Sequence, residues 1–212
     1  MDLSRRGVML IIASPSGAGK SSITRRLLAE QTNLTMSVSV TTRPMREGEV
    51  DGKDYHFRTI EQFEKMRDAG ELLEWAKVHS NFYGTPVADV DDLIQSGRDV
   101  VFDIDYQGTQ QLYEKRRDHL VSVFLLPPSI PELKARLQGR ALDSEDVINR
   151  RLQNARVEIE HWAEYNFVLV NDDLDKTCAE VTSILKTARI SRGRQTNLSG
   201  FIKELQDQID SL

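Results

Sequence analysis

Ser14-Pro15-Ser16-Gly17-Ala18-Gly19-Lys20-Ser21 constrains this chain more than any other stretch, because an all-apolar run at 8–13 precedes it and a helix-like segment at 23–30 follows. A phosphate-binding loop needs that setting. Its backbone N–H groups must turn inward around phosphate oxygens, which takes glycine at the tightest points and a helix N-terminus behind them. Gly17 and Gly19 meet the first need. Lys20 would then reach the β- and γ-phosphates of a nucleoside triphosphate, the Ser21 hydroxyl would ligate an accompanying Mg²⁺, and Ser22 would follow at the helix start. One position departs from the strict pattern G-x-x-x-x-G-K-[ST], since Ser14 stands where it calls for glycine.

At 212 residues the chain suits one α/β domain with attached flaps better than two independent domains. No repeat or low-complexity tract interrupts it. Cys178 is the only cysteine, which excludes an intrachain disulfide and a Cys-rich metal or redox motif and fits a reducing, cytoplasmic setting. No run approaches the ~20 apolar residues of a membrane span, so a soluble protein without membrane partners is expected. A net charge of −5 argues against a general affinity for nucleic acid. Yet arginines gather locally: Arg43 with Arg46, and Arg136, Arg140, Arg150, Arg151 and Arg156. The second group reads either as focused phosphate sites or as solvated helix faces with partners such as Glu132 for Arg136.

The pattern predicts strands at 8–13, 37–40, 100–104, 121–126 and 167–170 with helices between them, which implies a doubly wound parallel sheet covered on both faces. Ligands should lie beyond the carboxyl ends of the strands, near the glycine loop, Asp103, Asp105 and Asn171. Residues 39–85 differ in character. Short β-like pieces at 55–57, 72–78 and 81–83 surround one helical segment at 60–67, predicting a mixed β-rich insertion in a core made of 1–38 and 86–212. A helical stretch broken at 139–143 and flanked by arginines predicts a lid at about 136–156. The segment 197–212 places Leu198, Ile202, Leu205, Ile209 and Leu212 on one helical face, for packing against the parent domain or for pairing with a second copy. The four histidines lack metal-ligand spacing and are expected at the surface without chemical roles.

Several motifs in register resemble guanylate kinase over residues 8–190: the run Ser37 through Val50, then Asp51-Gly52-Lys53-Asp54-Tyr55-His56-Phe57, Leu73-Glu74-Trp75-Ala76, Asn81-Phe82-Tyr83-Gly84-Thr85, Asp103-Ile104-Asp105-Tyr106-Gln107-Gly108 and Val170-Asn171-Asp172-Asp173. The resemblance implies phosphorylation of GMP by Mg-ATP, with dGMP as a second acceptor, and makes the insertion the GMP-binding subdomain. It puts Arg43, Arg46, Tyr55 and Tyr83 on the GMP phosphate and Ser39, Glu74, Thr85 and Asp105 on the guanine. Asp103 joins this site and is a further Mg²⁺ contact through water, while Ser14 to Ser22 with Arg136, Arg140 and Asn171 form the ATP side. Arg140 and Arg151 would close from the lid onto the moving phosphoryl group, so that Lys20, Arg43, Arg140 and Arg151 carry the catalysis. Guanine offers N1–H and N2–H₂ donors where adenine offers a bare N1 acceptor, so carboxylates at Glu74 and Asp105 would attract one base and repel the other. Two rivals remain: an inactive binding module on the same fold, which would have little use for an intact glycine loop, and a kinase for another nucleoside monophosphate.

Overall fold

The computed structural model describes residues 4–78, 80–139 and 144–212. The chain runs through β1 (Met9–Ala13), α1 (Lys20–Glu30), β2 (Leu34–Met36), β3 (Val40–Thr41), β4 (His56–Phe57), α2 (Ile60–Asp68), β5 (Leu72–Val78), β6 (Asn81–Pro86) and α3 (Val87–Gln95). It continues with β7 (Asp99–Phe102), α4 (Tyr106–Arg116), β8 (Leu120–Leu126), α5 (Ile130–Gln138), α6 (Glu145–Glu160), β9 (Phe167–Val170), α7 (Leu174–Arg189) and α8 (Leu198–Asp210).

Five strands in the order β2-β7-β1-β8-β9 form a wholly parallel sheet. Side chains alternate across a strand, and β1 shows what that requires of a strand covered twice. Leu10 and Ile12 enter the core shared with Ile23, Leu27, Val181 and Leu185, while Met9 and Ile11 enter the opposite one with Val90, Ile94 and Leu112. Each fully buried side chain of this size contributes about 1.5–3 kcal/mol relative to exposure. The chain builds outward from β1 first toward β7 and β2, then toward β8 and β9. That reversal opens a crevice at the carboxyl end of β1, where the glycine loop begins.

The second sheet has the order β4-β3-β6-β5 and is mixed, with β3 parallel to β4 and antiparallel to β6. Helix α2 starts at a capping box, Thr59 with Gln62, and covers one face by packing Phe63 against Val40, Leu72 and Phe82. Contacts with α4 tie this sheet to the core. Gln111 exchanges two hydrogen bonds with the backbone of Trp75, at 3.0 and 2.8 Å, and Lys115 Nζ donates to the Leu72 carbonyl at 3.1 Å.

Three expectations need correction. Residues 37–40 are not one strand: the Ser37 amide donates to Val101 in the parallel sheet, while the Ser39 carbonyl accepts from His56 in the mixed one. Hydrogen-bond partners change within two residues, so the run is a crossing between sheets flanked by β2 and β3. The strand expected over 100–104 stops at Phe102, because Asp105 leaves the ladder to accept the Gly108 amide as the N-cap of α4. Beyond its half-buried first member, Leu198, the apolar stripe of α8 does not pack on the parent domain. Ile202, Leu205, Ile209 and Leu212 are exposed, and the helix contains no buried residue.

Candidate functional site

The glycine loop is held by its own backbone and by a residue at the end of β9, two strands away in the sheet. Gly17 and Gly19 have φ of 93° and 102°, and α1 starts immediately behind them at Lys20. Asn171, just past the end of β9, is buried and donates from Nδ2 to the Ala18 carbonyl at 2.7 Å. A side chain at position 19 would put its Cβ 2.2 Å from that Nδ2, so the glycine is required by space as well as by conformation. Arg136 on α5 supports the arrangement by donating twice to the Asn171 carbonyl, at 3.1 Å each, while its Nε pairs with Glu132. Gly17, Gly19, Ser22, Arg136 and Asn171 line one cavity of about 490 Å³. Ser14 donates its hydroxyl to the Pro15 carbonyl at 3.0 Å, and Ser21 and Ser22 are exposed on the first turn of α1.

On the other side of the loop lies a cavity of about 220 Å³ lined by Ser14, Lys20, Asp103, Asp105 and Glu158, with Phe124 and Tyr165. Lys20 is ion-paired with Asp103. Burial pushes the Tyr165 hydroxyl up to about 12, and it donates to Thr109 at 3.4 Å. Asp103, Ile104 and Asp105 also line a third cavity of about 280 Å³, together with Ser39, Tyr55, Glu74 and Tyr83 from the mixed sheet. The two cavities therefore meet across the segment that leaves β7.

In this third cavity Glu74 is only 4 % exposed. Thr85, itself fully buried, donates to its Oε1 at 2.6 Å. Burial and the neighbouring Asp105 charge push the Glu74 carboxyl up to about 7, against the hydrogen bond from Thr85. Helix α4 approaches so closely that a Cβ on Gly108 would lie 2.8 Å from Glu74 Oε2. Asp105 is half-committed, with one oxygen capping α4. The chemical character is thus one buried carboxylate beside a second, able to accept a pair of adjacent N–H donors.

Arg43, Tyr55 and Tyr83 come together at the mouth of this cavity. The Arg43 guanidinium lies 5.3 Å from the Tyr55 ring centroid, and the Tyr55 and Tyr83 rings meet edge to face at 6.0 Å. Burial raises the Tyr55 hydroxyl above its ordinary range. Arg43 also makes a bidentate pair with Glu49, at 3.0 and 2.7 Å, and Glu49 accepts the Arg46 amide at 2.8 Å. The pairing holds the Glu49 carboxyl below the usual carboxylate range. Arg46 itself is exposed.

Sequence reasoning passed over Glu49, Gly108, Tyr165 and Glu158. Glu49 and Gly108 lie inside quoted motifs, but only folding shows which side chains they meet. Arg140 lies outside the described residues. Arg151 is half-buried on α6, whereas Arg150 and Arg156 are exposed. His56, His119 and His161 are half-buried rather than at the surface: His56 pairs with Asp89 at 3.0 Å, and His161 stacks on Tyr106 at 3.9 Å. His79 lies outside the described residues. Among the described residues no group of three or more His, Cys, Asp or Glu is placed to hold a metal ion, and no helix is long and apolar enough to cross a membrane.

Residues 6–188 match the family model described as Guanylate kinase. The chain is 56% identical to the guanylate kinase of Mesorhizobium japonicum, across 96% of this chain and 94% of that one. It is 52% identical to the guanylate kinase of Rhizobium etli, across 100% and 96% of the two. The crystal structure of guanylate kinase from Anaplasma phagocytophilum superimposes with a TM-score of 0.75 at 36% identity, covering 95% of this chain and 96% of that chain.

Proposed function

This chain belongs to the guanylate kinase family, and from that premise we propose that it transfers the γ-phosphoryl group of ATP to GMP, giving ADP and GDP in guanine nucleotide synthesis and GMP recycling. The observation that carries the reading is the junction of two unlike cavities at Asp103, Ile104 and Asp105. One holds Lys20, with Ser14 at the start of the glycine loop, where the transferring phosphate would lie, while Gly17 and Gly19 face the cavity on the loop's other side with Arg136 and Asn171. The second of the joined cavities holds the buried Glu74, suited to the N1–H and N2–H₂ edge of guanine. Ser39, Thr85 and Asp105 complete the base pocket, and dGMP, which differs only at the sugar, is a second acceptor.

The GMP phosphate has its second pKa near 6 and is already largely deprotonated at neutral pH, so the reaction needs no general base. It needs two phosphate groups in line, their charge neutralised and water kept away. Lys20 and the loop amides hold the donor, with Ser14 to Ser22, Arg136 and Asn171 around it. Lys20 must exchange its Asp103 partner for phosphate oxygens as ATP enters, and Arg43 must exchange Glu49 for the GMP phosphate, which Arg46, Tyr55 and Tyr83 also contact. Arg140 and Arg151 act from the α5–α6 lid on the phosphoryl group in flight.

Mg²⁺ fits this donor set. The Ser21 hydroxyl and the Asp103 carboxylate are hard oxygen ligands, and an ion that keeps its waters and binds substrate phosphates needs only one or two such groups from the protein. Held by Ser21 and Asp103, the ion would supply charge neutralisation on the donor phosphates. A cytoplasmic setting is supported by the single, buried cysteine. The exposed apolar stripe of α8 supports pairing with a second copy of the chain.

A coupled ADP-release assay offering GMP, AMP, CMP, UMP and dTMP in turn with Mg-ATP tests the reading. Turnover with GMP at least about 10³-fold above that with AMP is expected. Equal rates across the bases would refute guanine recognition, and no turnover with any of them would leave a binding module instead.

A further inference from the structure

Glu158 has no part in the chemistry derived above, yet its Oε2 accepts the backbone amide hydrogen of Ser16, at the tip of the glycine loop, at 3.1 Å. It also lines the cavity that holds Lys20 and Asp103. A carboxylate in that position is electrostatically costly. The cavity already presents Asp103 and Asp105, and the ligand it must accept is a polyanion. Its benefit must therefore be geometric.

That benefit follows from where Glu158 sits on α6. The inward stripe of this helix is Ile148, Arg151, Leu152, Ala155, Glu158 and Ile159, all buried or half-buried, while Asn149, Arg150, Gln153, Asn154, Arg156 and Val157 are exposed. Arg151 and Glu158 are thus the two charged members of one stripe, seven residues or two turns apart, with about 10 Å of helix between them. Between them, Leu152 and Ala155 join Ile148 in packing on Ala18 of the glycine loop and on Leu133 and Leu137 of α5. Just beyond the helix, His161 stacks on Tyr106. Apolar packing sets how far α6 stands from the loop but leaves it free to slide or roll slightly. A directional hydrogen bond from the helix to a loop amide removes that freedom.

We propose that Glu158 is a positioning residue for phosphoryl transfer: by accepting the Ser16 amide it locks the roll of α6 against the glycine loop, and so aims Arg151, two turns away, at the donor phosphate. The proposal rests on the reading of Arg151 as a transfer-site arginine.

Steady-state kinetics on the full chain test it, with ATP and GMP varied separately and thermal melts as a check on folding. Glu158→Ala should lower kcat about 10- to 100-fold while KM for GMP stays within about threefold, since small misplacements of a catalytic group carry penalties of that size. Glu158→Gln keeps an acceptor oxygen and loses the charge, so kcat should recover to within about threefold and KM for ATP should stay level or fall. Glu158→Asp, one methylene short, should be as slow as the alanine variant and serves if alanine does not fold. A purely structural role would lower the melting temperature of Glu158→Ala and leave kcat per folded molecule unchanged, which overturns the proposal. Glu158→Gln as slow as Glu158→Ala also overturns it. Arg151→Ala separates the two readings. If it is slow and adding Glu158→Ala slows it little further, the coupling stands; if the two losses multiply, Glu158 acts elsewhere and only the proposal falls. If Arg151→Ala turns over at the parent rate, the arginine reading fails and takes the proposal with it.

Discussion

On the proposed reading, the glycine loop and the Glu74 cavity would recognise their ligands with different parts of the polypeptide. The loop would rely mainly on main-chain amides, aligned by two left-handed glycines and the start of α1, with Lys20 and Ser21 as its principal side-chain contributions. The pocket uses side chains: Glu74 on β5, Thr85 on β6 and Asp105 at the head of α4. A backbone site is chemically committed to anions whatever its neighbours are. A side-chain site acquires its selectivity from its surroundings, and burying Glu74 is what lifts its carboxyl to about 7. The loop can therefore be damaged mainly by changing shape or charge at the loop, whereas the pocket can be retuned from any element that touches Glu74.

The strongest challenge to this contrast is Lys20→Ala. With the backbone cradle left in place, turnover should fall about 10³-fold while the circular dichroism spectrum and melting temperature stay close to the parent's. Near-normal GMP phosphorylation would remove the loop from catalysis. Next comes Glu74→Ala, which should weaken GMP by about 10²-fold or more and change KM for ATP by less than about threefold. Equal losses for both nucleotides would take Glu74 out of base recognition.

The pH dependence is smaller and more specific. Guanine donors favour ionised Glu74, so binding GMP must displace a proton wherever the free carboxyl holds one. GMP affinity should then fall about tenfold per pH unit below 7 and level off above it. Isothermal titration at pH 6 and 8 measures this, and Glu74→Gln should flatten the difference. Stability runs in the opposite sense. The folded-state pKa is raised, so this group's contribution is present in full below its unfolded value and is lost as pH rises through about 7. Glu74→Gln should accordingly raise the unfolding free energy at pH 8, by an amount on the order of 3 kcal/mol, and leave it unchanged near pH 4. Smallest is Gly108→Ala. Its Cβ would crowd Glu74 Oε2, and GMP should bind about fivefold more weakly with ATP unaffected. An unaltered GMP affinity would mean that α4 does not set the position of the carboxylate.

Legibility follows the same division. The loop, β1, β5, β9 and the alternation of strands and helices were readable because each is encoded locally, in apolar runs, glycines and caps. The error at 37–40 arose because a Ser-Val alternation reads as one strand regardless of which sheet supplies its partners. The stripe on α8 was readable as a stripe, but whether anything covers it is not a property of the helix. Glu49 and Glu158 stayed hidden because a carboxylate six residues after Arg43, or one on a helix 142 residues after Ser16, carries no local mark of its partner.

By itself the sequence determined the parallel core, the phosphate loop with Lys20 and Ser21, and the family motifs, all of which depend on residues close together along the chain. Only the tertiary structure decided that Glu74 is buried beside Asp105, that Arg43 is held by Glu49, and that Glu158 reaches the loop from α6. Desolvation, ion pairing and hydrogen-bond reach are set by distances through space, and those exist only once the chain has folded.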